Sequence, residues 1–336
     1  MITLDPQTTP TPDFHQFMIG AIAPRPIALV STVDKEGNPN LAPYSFFNAF
    51  SSKPPIIAFS TNRRVRDNST KDTLSNIEET MSCVINVVSH DIARQASLAS
   101  VNFPKNVSEF VKAGLTPIAS EMVKAFRVKE SPVQMECVVE QIVRLGTEGG
   151  AGNIVICRIV RMHINEQVMD AELKRIDPHK IDLVGRMGRS CYTRASGDAV
   201  YEIPQPELPL VIGFDGLPKS ILTSEVLTGN SIAQIAGLTE LPSKEDILSI
   251  KQDISVQKVL ISDKILRCLH LLAQEELKKG NIIQSIPLTI GQEILLDILT
   301  PHPHPPRLGF GSSQWFAFAF DDSHVFLVLR KSSTNT

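Results

Sequence analysis

Between residues 60 and 77 the chain reads STNRRVRDNSTKDTLSNI, which gathers Arg63, Arg64, Arg66 and Lys71 among hydroxyl and amide side chains. An apolar segment, PPIIAFS (54–60), precedes this loop, and a helical pattern carrying Leu74 and Ile77 follows it. Ser69-Thr70-Lys71-Asp72 has the spacing of a capping box, which predicts a helix starting near residue 70. The first turn of such a helix offers free N–H groups and the positive end of a dipole. Lys71 and Thr73 would lie on that turn, with the arginines facing it. A cation, a hydroxyl and several amides aimed at one point suit a phosphate. The same spacing also fits a solvated loop whose cations pair with Asp67, Asp72 and Glu78.

Other chemistry-bearing residues point to less. No G-x-x-x-x-G-K-[ST] or G-x-G-x-x-G sequence occurs, and the glycines of 149–152 read as a hairpin turn. Cys83, Cys137, Cys157, Cys191 and Cys268 show no C-x-x-C spacing. They read as buried thiols in a reducing compartment, packing as small hydrophobes. The pairs His302/His304 and His270/His324 lack the carboxylate or thiolate company of a metal centre, so no metal is expected.

The elements that must position the loop can be read along the chain. Residues 27–33 and 41–50 read as a hairpin around the turn DKEGNPN, and 56–60 as a third strand. A helix over 70–80, a strand over 82–89 and a short helix over 90–100 capped by Asp91 come next. Segments 133–146 and 153–164 read as a long hairpin. Strands joined mostly by hairpins predict a mainly β, α+β fold: a closed or half-closed antiparallel barrel with peripheral helices. The chain has 336 residues, enough for more than one domain. Its expected division is a barrel domain over 1–200, an extended arm over 201–242, a helical extension over 243–300 and a tail over 301–336 with no assigned role. Within the extension, 243–246 has capping-box spacing and 262–280 a helical pattern ending on Gly280; in the tail, 315–330 reads as two strands around a polar turn. A net charge of −3 argues against a general nucleic-acid binder. With no basic-then-apolar leader and no apolar run near ~20 residues, neither export nor a membrane span is expected, and the cytoplasm is the expected location.

The segment PRPIALVSTVDKEGNPNLAPYSFFNAFSSKPPIIAFS, followed by KDTLSNI, resembles the flavin-reductase-like family, whose fold is the FMN-binding split barrel. The flavoredoxin-type branch is the most similar. FVKAGL (110–115), ESPVQMECVV (130–139), GNIVICRIVRMHI (152–164) and DPHKIDLVGRMGRSCYTR (177–194) fall in the family's order, so the resemblance spans about residues 1–240.

The resemblance implies an FMN-dependent oxidoreductase that takes hydride from NADH or NADPH onto the flavin and passes electrons to free flavin, oxygen or a partner monooxygenase. It also implies a homodimer. The flavin phosphate would be held by Lys71, Asp72 and Thr73, with Asn62, Arg63 and Arg66 as neighbours. The ring would lie against Ser45, Phe46, Phe47 and Asn48. At most one of the two phenylalanines lines it, because adjacent strand residues face opposite ways. Arg25 would reach the ring's O2 side, His179 would position or stabilise charge on the reduced ring, and Arg186 and Tyr192 would belong to the lid. Where members often read R-x-G-G-x-Y-Y, this chain reads Arg186-Met187-Gly188-Arg189-Ser190-Cys191-Tyr192, with Arg189 in place of a glycine. An FMN-binding electron carrier or sensor without nicotinamide turnover is the alternative. A haem- or pyridoxamine-phosphate-binding relative on the same barrel is the third reading.

Overall fold

The computed structural model describes residues 1–104, 107–203, 211–240, 264–279, 285 and 288–289, and the backbone of 318–321 and 324–327. The chain forms two compact units, Met1–Glu202 and Ile203–Thr336.

The first unit opens with α1 (Thr11–Ala21). Strands β1 (Ala28–Val33), β2 (Pro39–Tyr44), β3 (Phe47–Ser52) and β4 (Pro55–Asn62) lead to α2 (Asp72–Thr80) and β5 (Ser82–Val87). Helices α3 (Ala93–Leu98) and α4 (Glu109–Ala113) precede the short strands β6 (Pro117–Ile118) and β7 (Arg127–Val128). The long hairpin is β8 (Val133–Arg144) and β9 (Gly152–Ile164), and a small one follows, β10 (Val184–Arg186) and β11 (Tyr192–Arg194).

Seven strands make one sheet in the order β2-β1-β5-β8-β9-β4-β3, with every pair antiparallel. The two edge strands are consecutive in the chain, which passes from one edge to the other through Ser45 and Phe46. The curled sheet is the split barrel, as expected. Residues 41–50, expected as one returning strand, are therefore two: β2 pairs with β1, and β3 pairs with β4. Continuous apolar and aromatic character hides a change of partner, because both strands share the same period of two.

That period also explains the core. Along β1, Ala28 and Val30 face an interior cluster that includes Tyr44, Phe59, Ile85 and, from α2, Leu74 and Ile77. Leu29 faces a second cluster with Leu41, Ile92, Ala96 and Phe110, built on α3 and α4. β1 is thus buried on both sides. Cys83, Cys137 and Cys157 pack inside the barrel, with Cys83 Sγ 3.9 Å from Cys157 Sγ. Cys191 is exposed and Cys268 only half-buried, against the expectation that all five thiols are buried; Cys191 lies in the turn of the β10–β11 hairpin.

Two helix starts differ from their expected caps. Lys71, not Ser69, is the N-cap of α2, and it makes no side-chain capping bond. Ser69 is instead bound to Asp67 and Arg64 inside the loop. Asp91 lies within a 3-10 turn, His90–Ile92, that leads into α3.

In the second unit, α5 (Lys219–Leu222), α6 (Gly229–Ala236) and α7 (Ile265–Lys278) supply a small apolar cluster that includes Ile221, Ile235 and Leu277. Ser224 Oγ accepts from the amides of Val226 and Leu227 and lies 2.8 Å from His270 Nδ1. With two amides donating into that oxygen, the hydroxyl is a turn brace rather than a nucleophile. The backbone of β12 (Phe318–Asp321) and β13 (His324–Leu327) pairs antiparallel. The capping spacing at 243–246, Gly280, and His302 and His304 lie outside the described residues. No helix among the described residues is long and apolar enough to cross a membrane.

Candidate functional site: a groove from the α2 N-terminus to the β10–β11 hairpin

The helix start collects what an anion needs. The amides of Leu74 and Ser75 donate to Lys71 C=O at 3.0 and 3.3 Å, while those of Asp72 and Thr73 meet no acceptor among the described residues. Both residues line a cavity of about 30 Å³ whose walls also include Arg64, Lys71, Asn102 and Glu109. Neither Arg64 nor Lys71 forms an ion pair among the described residues. Burial, and then the Arg64 charge, lower the Lys71 pKa. Two cations, Arg64 and Lys71, and two carboxylates, Asp72 and Glu109, thus line the same cavity, with no ion pair formed by either cation among the described residues. Arg64 is held in place by Ser69 Oγ at 3.0 Å and by the Thr70 carbonyl. Thr73 is buried, and its Oγ1 accepts from Asn40 Nδ2 at 2.9 Å, which fixes the first turn against β2. Glu109 is also buried; its Oε2 accepts from the Leu41 amide at 3.1 Å, and burial raises its pKa.

Ser100 lines this cavity and also a larger one of about 220 Å³. The larger cavity is walled by Tyr44 and Ser45 at the end of β2, by Ala96 and Ser97 on α3, and by Arg186 and Tyr192 on the β10–β11 hairpin. The Arg186 guanidinium lies 4.5 Å from the Tyr192 ring centroid, and its Nη2 donates to Arg189 C=O at 2.6 Å. Both contacts hold it as a flat plate over the cavity.

Arg25 ties the walls together. Its Nη1 donates to Ile19 C=O at 2.6 Å and to Ile22 C=O, and its Nη2 to Met187 C=O at 3.1 Å. Its Nε lies 3.5 Å from Ser45 Oγ. Its backbone exchanges hydrogen bonds with Arg186 at 2.9 and 2.8 Å. Burial, then the Arg186 charge, lower its pKa. Carbonyls from α1 and from the hairpin turn thus converge on one buried guanidinium.

Among the residues singled out from the sequence, Lys71, Asp72 and Thr73 share the small cavity. Ser45, Arg186 and Tyr192 share the large one. Arg25 braces the latter from behind. The others line neither cavity. Phe46 packs edge-on to His15 at 6.3 Å, and Phe47 packs on the barrel core. Asn48 is exposed, its Oδ1 accepting from the Ala49 amide. Asn62 donates to Gly150 C=O at 3.2 Å in the β8–β9 turn. Arg63 spends its donors on Asn68, at 2.6 Å to both Oδ1 and C=O. Arg66 is exposed and pairs with Asp67 at 2.9 Å. His179 is exposed, its amide donating to Asp177 Oδ1 at 2.8 Å.

Of the three loop arginines expected to face the helix start, Arg64 is the one that lines the cavity, although the family resemblance implies Arg63 and Arg66 as the phosphate neighbours. The wall of α3 was not singled out from the sequence, although Ala93, Ala96, Ser97 and Ser100 form a run of small residues at helical spacing, a face that leaves room. Elsewhere, His90, Asp91 and Asp182 bring ligand atoms within 4.8 Å of one another, but Asp182 already grips Arg194 with two bonds of 2.7 Å.

Known proteins share the barrel fold. A flavin reductase like domain matches residues 20–178. The structure of nitrilotriacetate monooxygenase component B from Bacillus cereus is similar, with 33% identity and a TM-score of 0.56, over 60% of this chain and 98% of that one. Pseudomonas fluorescens 2-nitrobenzoate 2-nitroreductase NbaA matches with 28% identity and a TM-score of 0.54, over 62% and 98% of the two chains. A Shewanella frigidimarina protein with a split barrel domain matches with 26% identity and a TM-score of 0.52, over 61% of this chain and all 100% of that one.

Proposed function

The chain belongs to the flavin-reductase-like family, and on that premise we propose that it is an FMN-dependent oxidoreductase using NADH or NADPH as reductant. The observation that carries the reading is that Ser100 lines both the cavity at the α2 N-terminus, where Arg64 and Lys71 stand, and the larger cavity walled by Tyr44, Tyr192 and Arg186. The residues present fit a flavin mononucleotide. The free amides of Asp72 and Thr73, with Lys71 and Arg64, match a phosphate dianion. The slot between Tyr44 and α3 matches a flat ring.

Bound there, the flavin would supply a ring that accepts hydride from a reduced nicotinamide and passes electrons to free flavin, oxygen or a partner oxygenase. The chain's own work is positional and electrostatic. Lys71 and Arg64 neutralise the phosphate, Tyr44 and the small α3 residues exclude water from the slot, and Arg186 keeps positive potential at its rim. His179, on the surface of the single chain, would act only from across a homodimer contact. The Bacillus cereus neighbour, a monooxygenase component, supports an oxygenase as the electron consumer. The cytoplasm is the compartment that suits such a partner.

An absorbance spectrum of the purified protein, followed by NADH and NADPH oxidation with FMN added, tests the reading. Flavin bands with turnover support it; a Soret band, or no flavin retained or bound, sinks it. Bound flavin without turnover would favour the electron-carrier reading, in which Arg189 blocks the approach to the ring. Arg189 lies outside the ring cavity and lines a different one, which supports the turnover reading.

A further inference from the structure

The β10–β11 hairpin has two faces. Arg186 and Tyr192 stand on the ring cavity, while the turn between them carries Gly188 and Arg189 to a second cavity of about 570 Å³ against α1, shared with Asp13, Gln16, Phe17 and Gly20. That volume falls in the range of small-molecule sites. Gly188 and Gly20 meet closely: a Cβ on Gly188 would come to 3.2 Å from Gly20 Cα. Phe17 is 56% exposed and stacks on no ring among the described residues. The Arg189 guanidinium and the Asp13 carboxylate are both without hydrogen-bond or ion-pair partners among the described residues. The cavity therefore presents an aromatic plate, an amide, an unpaired cation and an unpaired carboxylate. Those groups complement a ligand with a heteroaromatic ring, a vicinal diol and a phosphate. The ring stacks on Phe17, the diol donates to Asp13, and the phosphate pairs with Arg189.

We propose that this cavity docks the adenosine-diphosphate half of the nicotinamide dinucleotide, so that one hairpin carries the flavin slot on one side and the reductant's handle on the other. The assignment rests on the oxidoreductase reading above. It also gives Arg189, standing where family members often have glycine, a role in binding rather than in blocking.

The probe is ADP-ribose, which contains neither nicotinamide nor flavin, titrated calorimetrically into the full chain. Wild-type protein should bind it, and Phe17→Ala and Arg189→Gln should each weaken binding roughly tenfold. The same variants should raise KM for NADH or NADPH by a similar factor while leaving the FMN dissociation constant unchanged. Wild-type protein that binds FMN but not ADP-ribose overturns the assignment. So do variants that bind ADP-ribose as wild type does. If the face is instead covered by a second copy of the chain, Phe17→Ala would shift the sedimentation coefficient and leave ADP-ribose binding untouched, which also overturns it. ADP-ribose binding by a protein that fails to take up FMN would sustain this site and remove the flavin reading, so the two failures are distinct.

Discussion

Lys71 Nζ lies 4.9 Å from the centroid of the Tyr44 ring, so the cation that starts α2 rests on the aromatic residue that ends β2. One contact therefore joins the small cavity at the helix start to the wall of the ring cavity. It also explains why Lys71 is half-buried although charged: the face of the ring stands in for part of the lost water.

Removing that cation should loosen the phosphate more than it loosens the fold. Lys71→Ala is expected to weaken FMN binding by about 1.5–3 kcal/mol, the cost of a charge-assisted hydrogen bond. Arg64→Ala should act in the same direction. Arg63→Ala should leave FMN affinity near wild type, because Arg63 is spent on Asn68. Fluorescence-quenching titrations decide the point; equal losses from all three arginine and lysine variants would mean a diffuse field rather than a built site.

The same lysine sets a pH dependence. Burial and Arg64 lower its pKa, so the free protein loses this charge below the ordinary lysine range. A bound phosphate dianion would raise that pKa again. FMN affinity is then steady while Lys71 is protonated and falls as pH rises through the lowered value, levelling off above the raised one. Titrations from about pH 7 to pH 10 should show the fall, and Lys71→Arg, whose guanidinium keeps its charge, should flatten it. A fall that persists unchanged in Lys71→Arg assigns the titration to another group.

Much of this arrangement was legible in the sequence. The long β8–β9 hairpin and the strand–loop–helix around residues 54–80 follow from alternation and turn chemistry that act locally. The corner at Ser45–Phe46 was not legible, because a strand that changes partner keeps its pattern. The loop arginines show a further limit. Spacing put Arg63, Arg64 and Arg66 in one short stretch but not on one side. Asn68, at a φ of 56°, turns the loop so that its own side chain and carbonyl capture Arg63, leaving Arg64 at the cavity. Small residues on α3 carry no chemistry of their own, and only the assembled fold reveals the room they leave.

Glu136 predicts how the barrel responds to acid. Its side chain is fully buried; it accepts from the amides of Glu121, Met122 and Val123 and lies 2.7 Å from His163 Nε2. Burial alone would raise its pKa, but the amides and His163 outweigh that, and the net shift is downward. A lowered carboxylate stabilises the fold above the unfolded glutamate value and loses that contribution as pH falls through the folded one. Glu136→Gln turns an amide donor toward donors and should cost about 3 kcal/mol or more at neutral pH. Urea unfolding at neutral and acidic pH checks both statements: the gap between wild type and variant should shrink in acid, and a constant gap would refute the linkage.

The last prediction concerns the hairpin that both cavities share. A Cβ on Gly185 would lie 2.7 Å from Pro24 Cβ and 3.1 Å from Thr193 Cγ2, so β10 can rest on the Arg25 segment only without a side chain there. Gly185→Ala must push the hairpin outward or shift Pro24, a strain of about 1–3 kcal/mol. Either movement strains the paired Arg25–Arg186 backbone bonds and the Arg25 contact to Met187 C=O. Flavin binding should weaken while α2 and its phosphate contacts stay intact, so inorganic phosphate should still compete with FMN at its wild-type inhibition constant. Hydrogen exchange localises the effect: faster exchange at the amides of Arg25 and Arg186, with α2 unchanged, is the expected pattern. Uniformly faster exchange across the barrel would mean that Gly185 supports the whole fold rather than the wall of the groove.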